Sequence, residues 1–94
     1  MKQYTVSVTN KFKKDYKRCI KQGKKMQLLD EAIILLKENG SLPQKYNPHK
    51  LHGDYAGLWE CHIQPDWLLV WKQFNDDFIL LLTDTGSHSE LFKK

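Results

Sequence analysis

The run at residues 67–71 restricts the possible folds of this chain more than any other segment. Its five residues, Trp-Leu-Leu-Val-Trp, are all large and apolar. A run that is apolar on both faces is typical of a strand in the middle of a sheet, with helices covering one side. We therefore predict that this segment is the central strand of a sheet.

Two further strands are predicted beside the central one in sequence. Residues 58–63 and 78–83 show strand-like runs, and the central strand extends over residues 67–74. Only three residues separate each pair of neighbouring runs, namely Gln64-Pro65-Asp66 and Asn75-Asp76-Asp77. Connections this short join antiparallel neighbours, so we expect a three-stranded antiparallel meander.

The first half of the chain has the periodicity of one strand followed by two helices. Apolar residues alternate with polar ones over residues 4–8, and then recur at helical spacing from an N-cap at Asn10 to a stop at Gly23. A second helix is expected to end at Gly40, and its apolar stripe consists of Leu29, Ala32, Ile33 and Leu36. Residues 41–55 contain two prolines and a glycine, so we expect an ordered surface loop there.

This order of elements predicts an α+β domain with an N-terminal strand, a helical hairpin, the meander and a short C-terminal tail. A chain of 94 residues provides one core, so residues 1–94 are expected to form a single domain. The start of the chain lacks the apolar stretch of an export signal, and no segment approaches transmembrane length. We therefore expect a cytoplasmic protein with no membrane partner, in which Cys19 and Cys61 are reduced and buried.

Positive charge is concentrated in the first half of the chain. Residues 1–50 hold twelve Lys and Arg against four Asp and Glu, whereas residues 51–94 hold three against seven. So dense a basic stretch favours an anionic partner, although an ordinary solvated helix face is the alternative. The candidate phosphate-binding residues are Lys13, Lys14, Lys17, Arg18, Lys21, Lys24 and Lys25.

All four histidines lie in the second part of the chain, at positions 49, 52, 62 and 88. Strand alternation places His62 on the same face as Glu60. Asp66 begins the next strand, so we expect it to lie near His62 and to form a hydrogen bond with it. Gly86 permits the sharp change of direction that would fold His88 back over the sheet.

A cleft edged by His49, His62, Asp66 and His88 would hold several groups that exchange protons near neutral pH. RNA cleavage without metal needs such groups, because the ribose 2′-OH is the nucleophile and requires only a base, an acid and a cation. Each histidine has a structural or solvated role as its alternative. Zinc is not expected, since the paired C-x-x-C knuckles of structural sites are absent.

Three strings in the sequence resemble a known family. They are Leu51-His52-Gly53, the stretch "WECHIQPDWLLV" at residues 59–70 and the stretch "TGSHSELF" at residues 85–92. The chain resembles the YafQ-type toxins of the RelE/ParE superfamily over essentially its whole length. The resemblance implies a RelE-like, microbial-RNase-type fold and a type II toxin that cleaves mRNA in the ribosomal A site without metal or other cofactor. It also implies a small antitoxin of the ribbon-helix-helix type, DinJ- or RelB-like, and contact with the 30S subunit and its rRNA.

The resemblance also implies which residues act. The catalytic set is His49, His62, Asp66 and His88, and Trp67 and Phe92 help to hold the RNA. For the roles, we predict Asp66 or His62 as the base for the 2′-OH, His88 as the acid and His49 as the group that stabilises the phosphorane, with exchanged roles as the alternative. His52 lies outside this set.

Asp84 departs from the family pattern, because many relatives carry Arg immediately before the Thr-Gly-Ser-His string. A cation near the scissile phosphate is therefore missing, and Lys50 or Lys72 would have to replace it. We accordingly group Lys50 with the RNA-binding residues. Two other functions remain open: a noncatalytic ParE-like toxin that inhibits a protein target such as gyrase, and a plain RNA-binding module.

Overall fold

The computed structural model describes residues 3–92, which form a five-stranded mixed sheet packed against two long helices. The strands are β1 (Thr5–Val8), β2 (His49–Lys50), β3 (Trp59–Gln64), β4 (Trp67–Phe74) and β5 (Ile79–Gly86). The helices are α1 (Asn10–Lys21), α2 (Met26–Asn39) and α3 (His88–Leu91). The predicted α+β class is confirmed.

The strands lie in the order β1-β5-β4-β3-β2, so β4 is the central strand, as predicted. The pairs β3–β4 and β4–β5 are antiparallel, which confirms the meander. Strand β1 runs parallel to β5, with Val6 opposite Leu80. This parallel pair makes the sheet mixed, and the connection between its strands includes both long helices and the rest of the sheet.

The core lies between β4 and the two long helices. Trp67, Leu69 and Trp71 point to this side of β4 because alternate residues of a strand share a face. They are buried together with residues of α1 and α2, namely Phe12, Cys19, Leu29, Ala32 and Leu36. The predicted cover of helices on one side is therefore confirmed.

The helix ends differ slightly from the prediction. Thr9, and not Asn10, caps α1, because its hydroxyl accepts a hydrogen bond from the backbone N–H of Phe12 at 3.0 Å. Helix α2 ends at Gly40, as expected, where a left-handed φ of 70° lets the glycine N–H bond Leu36. A side chain at position 40 would overlap the ring of Tyr4, so glycine is required there.

Two segments contain more regular structure than the sequence indicated. The predicted loop at residues 41–55 includes the short strand β2 and two 3-10 turns, Gln44–Tyr46 and Gly53–Tyr55. The last strand continues past residue 83 to Gly86, and the tail after it forms α3. A capping box starts this helix, since Ser87 and Glu90 each bond the other's backbone N–H. The prediction of an irregular loop and tail is therefore corrected.

A buried carboxylate joins α1 to the end of β5. The Asp15 side chain, in a residue only 1% exposed, accepts hydrogen bonds from Lys11 at 2.7 Å, from Arg18 at 2.9 Å and from the backbone N–H of Thr85 at 3.2 Å. Arg18 also donates to the Thr85 carbonyl at 2.8 Å, and its Nε lies 3.2 Å from Glu90. This network ties α1 to the segment that leads into α3.

Both cysteines are buried as free thiols, as predicted. Desolvation raises the pKa of Cys61 from 9.0 to about 12. The unfolded chain ionises this thiol near its ordinary pKa, so folding protects the neutral form between these two values. Within residues 3–92, no helix is long and apolar enough to span a membrane.

We expect the Cys61 thiol to weaken the protein at alkaline pH. The free energy of unfolding should fall between pH 9 and pH 12 more steeply than in Cys61→Ala, by up to about 1.4 kcal/mol per pH unit. Urea unfolding of both proteins at several pH values measures this difference in slope. Parallel stability curves for the two proteins would contradict it.

Candidate active site

Three histidines from different elements converge at one end of the sheet. His49 lies on β2, His62 on β3 and His88 at the start of α3. The ring centroids of His49 and His62 are 6.3 Å apart, and those of His62 and His88 are 5.8 Å apart. Three imidazoles predicted from the sequence thus form one cluster, with His62 in the middle.

Glu60 lies beneath this cluster and was not among the predicted catalytic residues. Its residue is 5% exposed, and its Oε1 is 3.0 Å from His49 Nε2 and 3.9 Å from His62 Nε2. Strand pairing explains the position, because Glu60 is directly opposite His49 in the β2–β3 ladder. The signal in the sequence was the alternation that places Glu60 and His62 on one face.

Both ring nitrogens of His49 face oxygen acceptors. Nδ1 is 2.8 Å from the carbonyl oxygen of Asn47, and Nε2 is 3.0 Å from the Glu60 carboxylate. Nδ1 forms a hydrogen bond with that carbonyl, whereas the contact of Nε2 with Glu60 is an ion pair only when both ring nitrogens carry a proton. His49 is therefore held beside a buried carboxylate, with an oxygen atom facing each of its ring nitrogens.

Asp66 forms the second carboxylate–imidazole pair. One carboxylate oxygen accepts from the backbone N–H of His88 at 3.0 Å and from its Nδ1 at 2.8 Å. These two hydrogen bonds hold the pKa of Asp66 below its usual range, and the bond from the backbone N–H has the larger effect. Because Nδ1 donates to the carboxylate, Nε2 of His88 is the nitrogen left for substrate. The partner of Asp66 is thus His88, and not His62 as expected.

His62 is the least constrained ring of the cluster. The 3.9 Å between its Nε2 and Glu60 is too long for a hydrogen bond. Ligand atoms of Glu60, His62 and His88 all lie within 4.8 Å of one another. One phosphate group can contact this set, and the same three atoms could also hold a metal ion.

Trp67 does not lie where an RNA base could stack. Its ring is 1% exposed, its Nε1 donates to Thr85 Oγ1 at 2.9 Å, and Lys24 Nζ lies 5.4 Å from the ring centroid. The prediction that Trp67 holds RNA is wrong, because this large apolar residue on the helix side of β4 is part of the core. The sequence alone could not show which face of β4 the helices cover.

Phe92 and Lys50 lie on different sides of the site. Phe92 lines a groove beside the cluster and packs edge-on against Tyr55, with ring centroids 4.9 Å apart at 82°. Lys50 is adjacent to His49 on β2 and so points the opposite way, and its Nζ lies 5.6 Å from the ring centroid of Trp59. Phe92 is therefore placed to touch a substrate in the groove, whereas Lys50 is not.

The groove has a volume of about 800 Å³ and adjoins the histidine cluster. Its walls are mostly apolar, and His88 of the cluster and Glu60 beneath it form part of them. The lining residues are Leu51, His52, Tyr55, Glu60, His88, Ser89 and Phe92. Tyr55 and Leu51 were not predicted as site residues, because single apolar residues in a loop carry no sequence pattern.

Most of the predicted phosphate-binding cations are exposed. Two of the seven have other roles: Arg18 is held by Asp15, Thr85 and Glu90, and Lys24 covers Trp67. Arg18, which was predicted to contact phosphate, is thus already bound to partners within the chain. The exposed members are Lys13, Lys14, Lys17, Lys21 and Lys25.

Asp84 is paired in the structure. Its carboxylate lies 3.2 Å from Lys11 Nζ, which also binds Asp15. This ion pair offsets the negative charge of Asp84. The side chain of Lys50, which was expected to supply a cation, lies over the ring of Trp59 instead.

The chain matches a known protein family over nearly its whole length. The family model "Bacterial toxin of type II toxin-antitoxin system, YafQ" matches residues 4–93. The mRNA interferase toxin YafQ of Escherichia coli strain K12 is 34% identical over 93 residues, covering 98% of this chain and 99% of the relative.

Two solved structures extend the likeness to the whole fold. The E. coli DinJ-YafQ complex matches at 34% identity with a TM-score of 0.86, covering 96% of this chain and 99% of that one. A metal-bound toxin from Helicobacter pylori matches at 37% identity with a TM-score of 0.83, covering 95% and 99%. The resemblance found in the sequence is confirmed, and the chain belongs to the YafQ family of bacterial toxins of type II toxin–antitoxin systems.

Proposed function

We propose that this chain, an mRNA interferase by its family, cleaves mRNA bound in the ribosomal A site by acid/base catalysis without metal. The observation that carries the proposal is the convergence of His49, His62 and His88 with two carboxylates, Glu60 and Asp66. A ParE-like inhibitor of a protein target or a plain RNA-binding module has no chemical need for such a cluster. Acid/base cleavage requires each of its parts.

His62 acts as the general base. Its Nε2 is not within hydrogen-bond distance of Glu60, so the neutral ring can accept the proton of the ribose 2′-OH. The imidazolium that forms lies 3.9 Å from the Glu60 carboxylate, which stabilises the new positive charge. Asp66 is less suited to this role than the sequence indicated, because two hydrogen bonds from His88 lower its pKa.

His88 acts as the general acid, and Asp66 positions it. The 2′ oxygen attacks the adjacent phosphorus, the bond from phosphorus to the 5′ oxygen breaks, and His88 Nε2 protonates the departing oxygen. Asp66 holds Nδ1 and keeps the charged ring stable, as a carboxylate does for imidazole in other acid/base sites. The products of this step are a 2′,3′-cyclic phosphate and a 5′-hydroxyl.

His49 supplies the cation for the phosphorane. When protonated, its ring is a cation held in place by the Asn47 carbonyl and the Glu60 carboxylate, and fixed charges aimed at developing negative charge lower the barrier most effectively. A metal ion on Glu60, His62 and His88 would take the lone pairs that proton transfer needs. We therefore expect a metal to compete with this chemistry.

Dependence on the ribosome is consistent with the exposed lysines. Lys13, Lys14, Lys17 and Lys21 follow one another along α1, and Lys25 follows it in sequence. Contacts from Lys to phosphate supply affinity and position but do not read sequence, which suits docking to rRNA of the 30S subunit. The ribosome then presents mRNA to the cluster, and this places the activity in the cytoplasm.

A small antitoxin is the second proposed partner. The family is defined by type II toxin–antitoxin systems, and the E. coli relative is known in a DinJ-YafQ complex. We propose a ribbon-helix-helix protein of the DinJ or RelB type, encoded beside the gene for this chain. Finding no short reading frame next to the gene would weaken this part of the proposal.

The test of the function compares ribosome-bound mRNA with the same mRNA free in solution. Primer extension should show cuts within the A-site codon of the bound mRNA and none on the free mRNA. Equal cleavage of both would contradict ribosome dependence. Inhibition of gyrase without any mRNA cleavage would instead favour the ParE-like alternative.

Reversing the charge of the α1 lysines should weaken docking. We expect the triple variant Lys13→Glu, Lys14→Glu, Lys17→Glu to bind ribosomes at least about ten-fold more weakly, with a smaller dependence of affinity on salt. The control is Lys37→Glu on α2, outside the proposed set, which should bind nearly as the wild type does. Sedimentation with 30S subunits at several salt concentrations measures this, and unchanged binding by the triple variant would refute the docking role.

A further inference from the structure

The groove beside the histidine cluster lies outside the proposed catalytic chemistry, and it borders that chemistry directly. Glu60 and His88 form part of its wall, so a ligand in the groove touches the proposed general acid and the carboxylate beneath the histidines. The remaining wall comes from the loop before β3, from Ser89 and from Phe92. Its volume of about 800 Å³ has room for a nucleotide.

We propose that this groove is a subsite for the base of the nucleotide that supplies the attacking 2′-OH, with Tyr55 as its stacking surface and His52 at its edge. This inference rests on the proposed function and adds the part of the substrate that the catalytic cluster does not hold. The groove is apolar and adjoins the cluster that is proposed to contact a phosphate. A ligand that fits both places has a flat, apolar part joined to an anion. A nucleotide of a single-stranded RNA has both, because its base is flat and its phosphate is an anion.

Tyr55 is suited to stacking by its exposure and its fixed orientation. The residue is 43% exposed, and the edge-on contact with Phe92 at 82° holds the ring in place while using only one part of it. Side chains that stack on RNA bases in other proteins are rings of this kind, fixed before the base arrives. The 3-10 turn Gly53–Tyr55 positions the ring beside the cluster.

His52 is placed to sense which base is present. It lines the groove but lies outside the three-histidine cluster, so it is not required for proton transfer. An imidazole can both donate and accept a hydrogen bond, and the edges of the four bases differ in donors and acceptors. We therefore assign base preference to His52 and base affinity to Tyr55.

The experiment measures single-turnover cleavage of ribosome-bound mRNA by the wild type, Tyr55→Ala, Tyr55→Phe and His52→Ala. Each protein is tested on a normal codon and on codons in which one A-site nucleotide in turn is abasic. Tyr55→Ala should raise the KM about ten-fold or more on the normal codon, whereas Tyr55→Phe keeps the ring and should resemble the wild type. At one abasic position the KM values of the wild type and Tyr55→Ala should become equal, because the base that Tyr55 would contact is missing.

His52→Ala should change the order of preference among the four bases at that same position while leaving the maximal rate near the wild-type value. Asp54→Ala, an exposed neighbour in the same turn that does not line the groove, is the control and should match the wild type. A loss in Tyr55→Ala that is equal on normal and abasic codons would overturn the base subsite. Unchanged cleavage by Tyr55→Ala with weakened binding of the antitoxin would also overturn it and assign the groove to that partner.

Failure of the proposed function gives a different result. In that case the wild type itself cleaves no ribosome-bound mRNA, on normal or abasic codons. Failure of the subsite alone leaves wild-type cleavage intact and the Tyr55 and His52 variants indistinguishable from Asp54→Ala.

Discussion

Replacing His88 with alanine is expected to lower the rate of mRNA cleavage by about 10²–10⁴-fold. The variant loses the only imidazole that is held by Asp66 in the described chain and with it the proton for the departing 5′ oxygen. Its side chain is about half exposed, so the fold should tolerate the change. Single-turnover cleavage of ribosome-bound mRNA measures the rate, and thermal unfolding checks the fold.

Two comparisons separate catalysis from structure for His88. Asp66→Asn keeps a hydrogen-bond acceptor for His88 Nδ1 but removes the negative charge beside the ring, so we expect a smaller loss of rate than in His88→Ala. Asp77→Asn, in the exposed turn between β4 and β5, is the matched control and should cleave as the wild type does. Full activity of folded His88→Ala would contradict the role of His88 as the acid.

Replacing Asp15 with alanine should cause the largest loss of stability. The carboxylate is buried and has three partners, and its removal leaves the Thr85 N–H without an acceptor and Arg18 without its main counter-ion. Removing one partner from such a buried pair costs about 3 kcal/mol. For a domain of this size we expect the melting temperature to fall by about 10 °C or more.

The Asp15 network should also affect the rate of cleavage, because it holds the segment that leads into α3, where His88 lies. Arg18 bonds the Thr85 carbonyl and lies 3.2 Å from Glu90, and both contacts hold the segment that carries His88. Arg18→Lys keeps the charge but loses the branched geometry, so we expect a reduced rate of cleavage at nearly normal KM. Glu38→Ala, at an exposed position of α2, is the control for stability. Equal melting temperatures for Asp15→Ala and Glu38→Ala would refute the structural role of Asp15.

The order of the main elements could be predicted because local signals and packing agree. The apolar run of β4 and the three-residue connections around it determine a central antiparallel strand, and the structure has that strand in that place. The pairing of β1 with β5 could not be predicted in the same way. It joins residues more than seventy positions apart, and no turn between them sets their register.

The candidate site was predicted in part. The three clustered histidines and Asp66 could be selected because imidazoles and carboxylates near a turn are chemically conspicuous. Glu60 and Tyr55 could not be ranked, since their importance comes from β2 lying opposite β3 and from the turn that precedes β3. Trp67 was misjudged because a large aromatic residue at the end of a strand can belong to either face until the helices are placed.

Arg18 illustrates the same limit for charged residues. In the sequence it is one of a run of similar cations, and in the structure its guanidinium is used by Asp15, Thr85 and Glu90. Charge density predicts an anionic partner for the surface as a whole, but it does not show which cations face inward. Only the packing of α1 against β5 separates Arg18 from its neighbours.

The ends of the cleaved RNA test the central claim most directly. Cleavage by the 2′-OH, with His62 as base and His88 as acid, leaves a 2′,3′-cyclic phosphate on one fragment and a 5′-hydroxyl on the other. We therefore expect mass spectrometry of fragments produced on ribosomes by chelator-treated protein, with Mg²⁺ retained for the ribosome, to show these ends. Fragments that end in a 3′-hydroxyl and a 5′-phosphate, or cleavage that requires restoring a transition metal to the protein, would contradict the account.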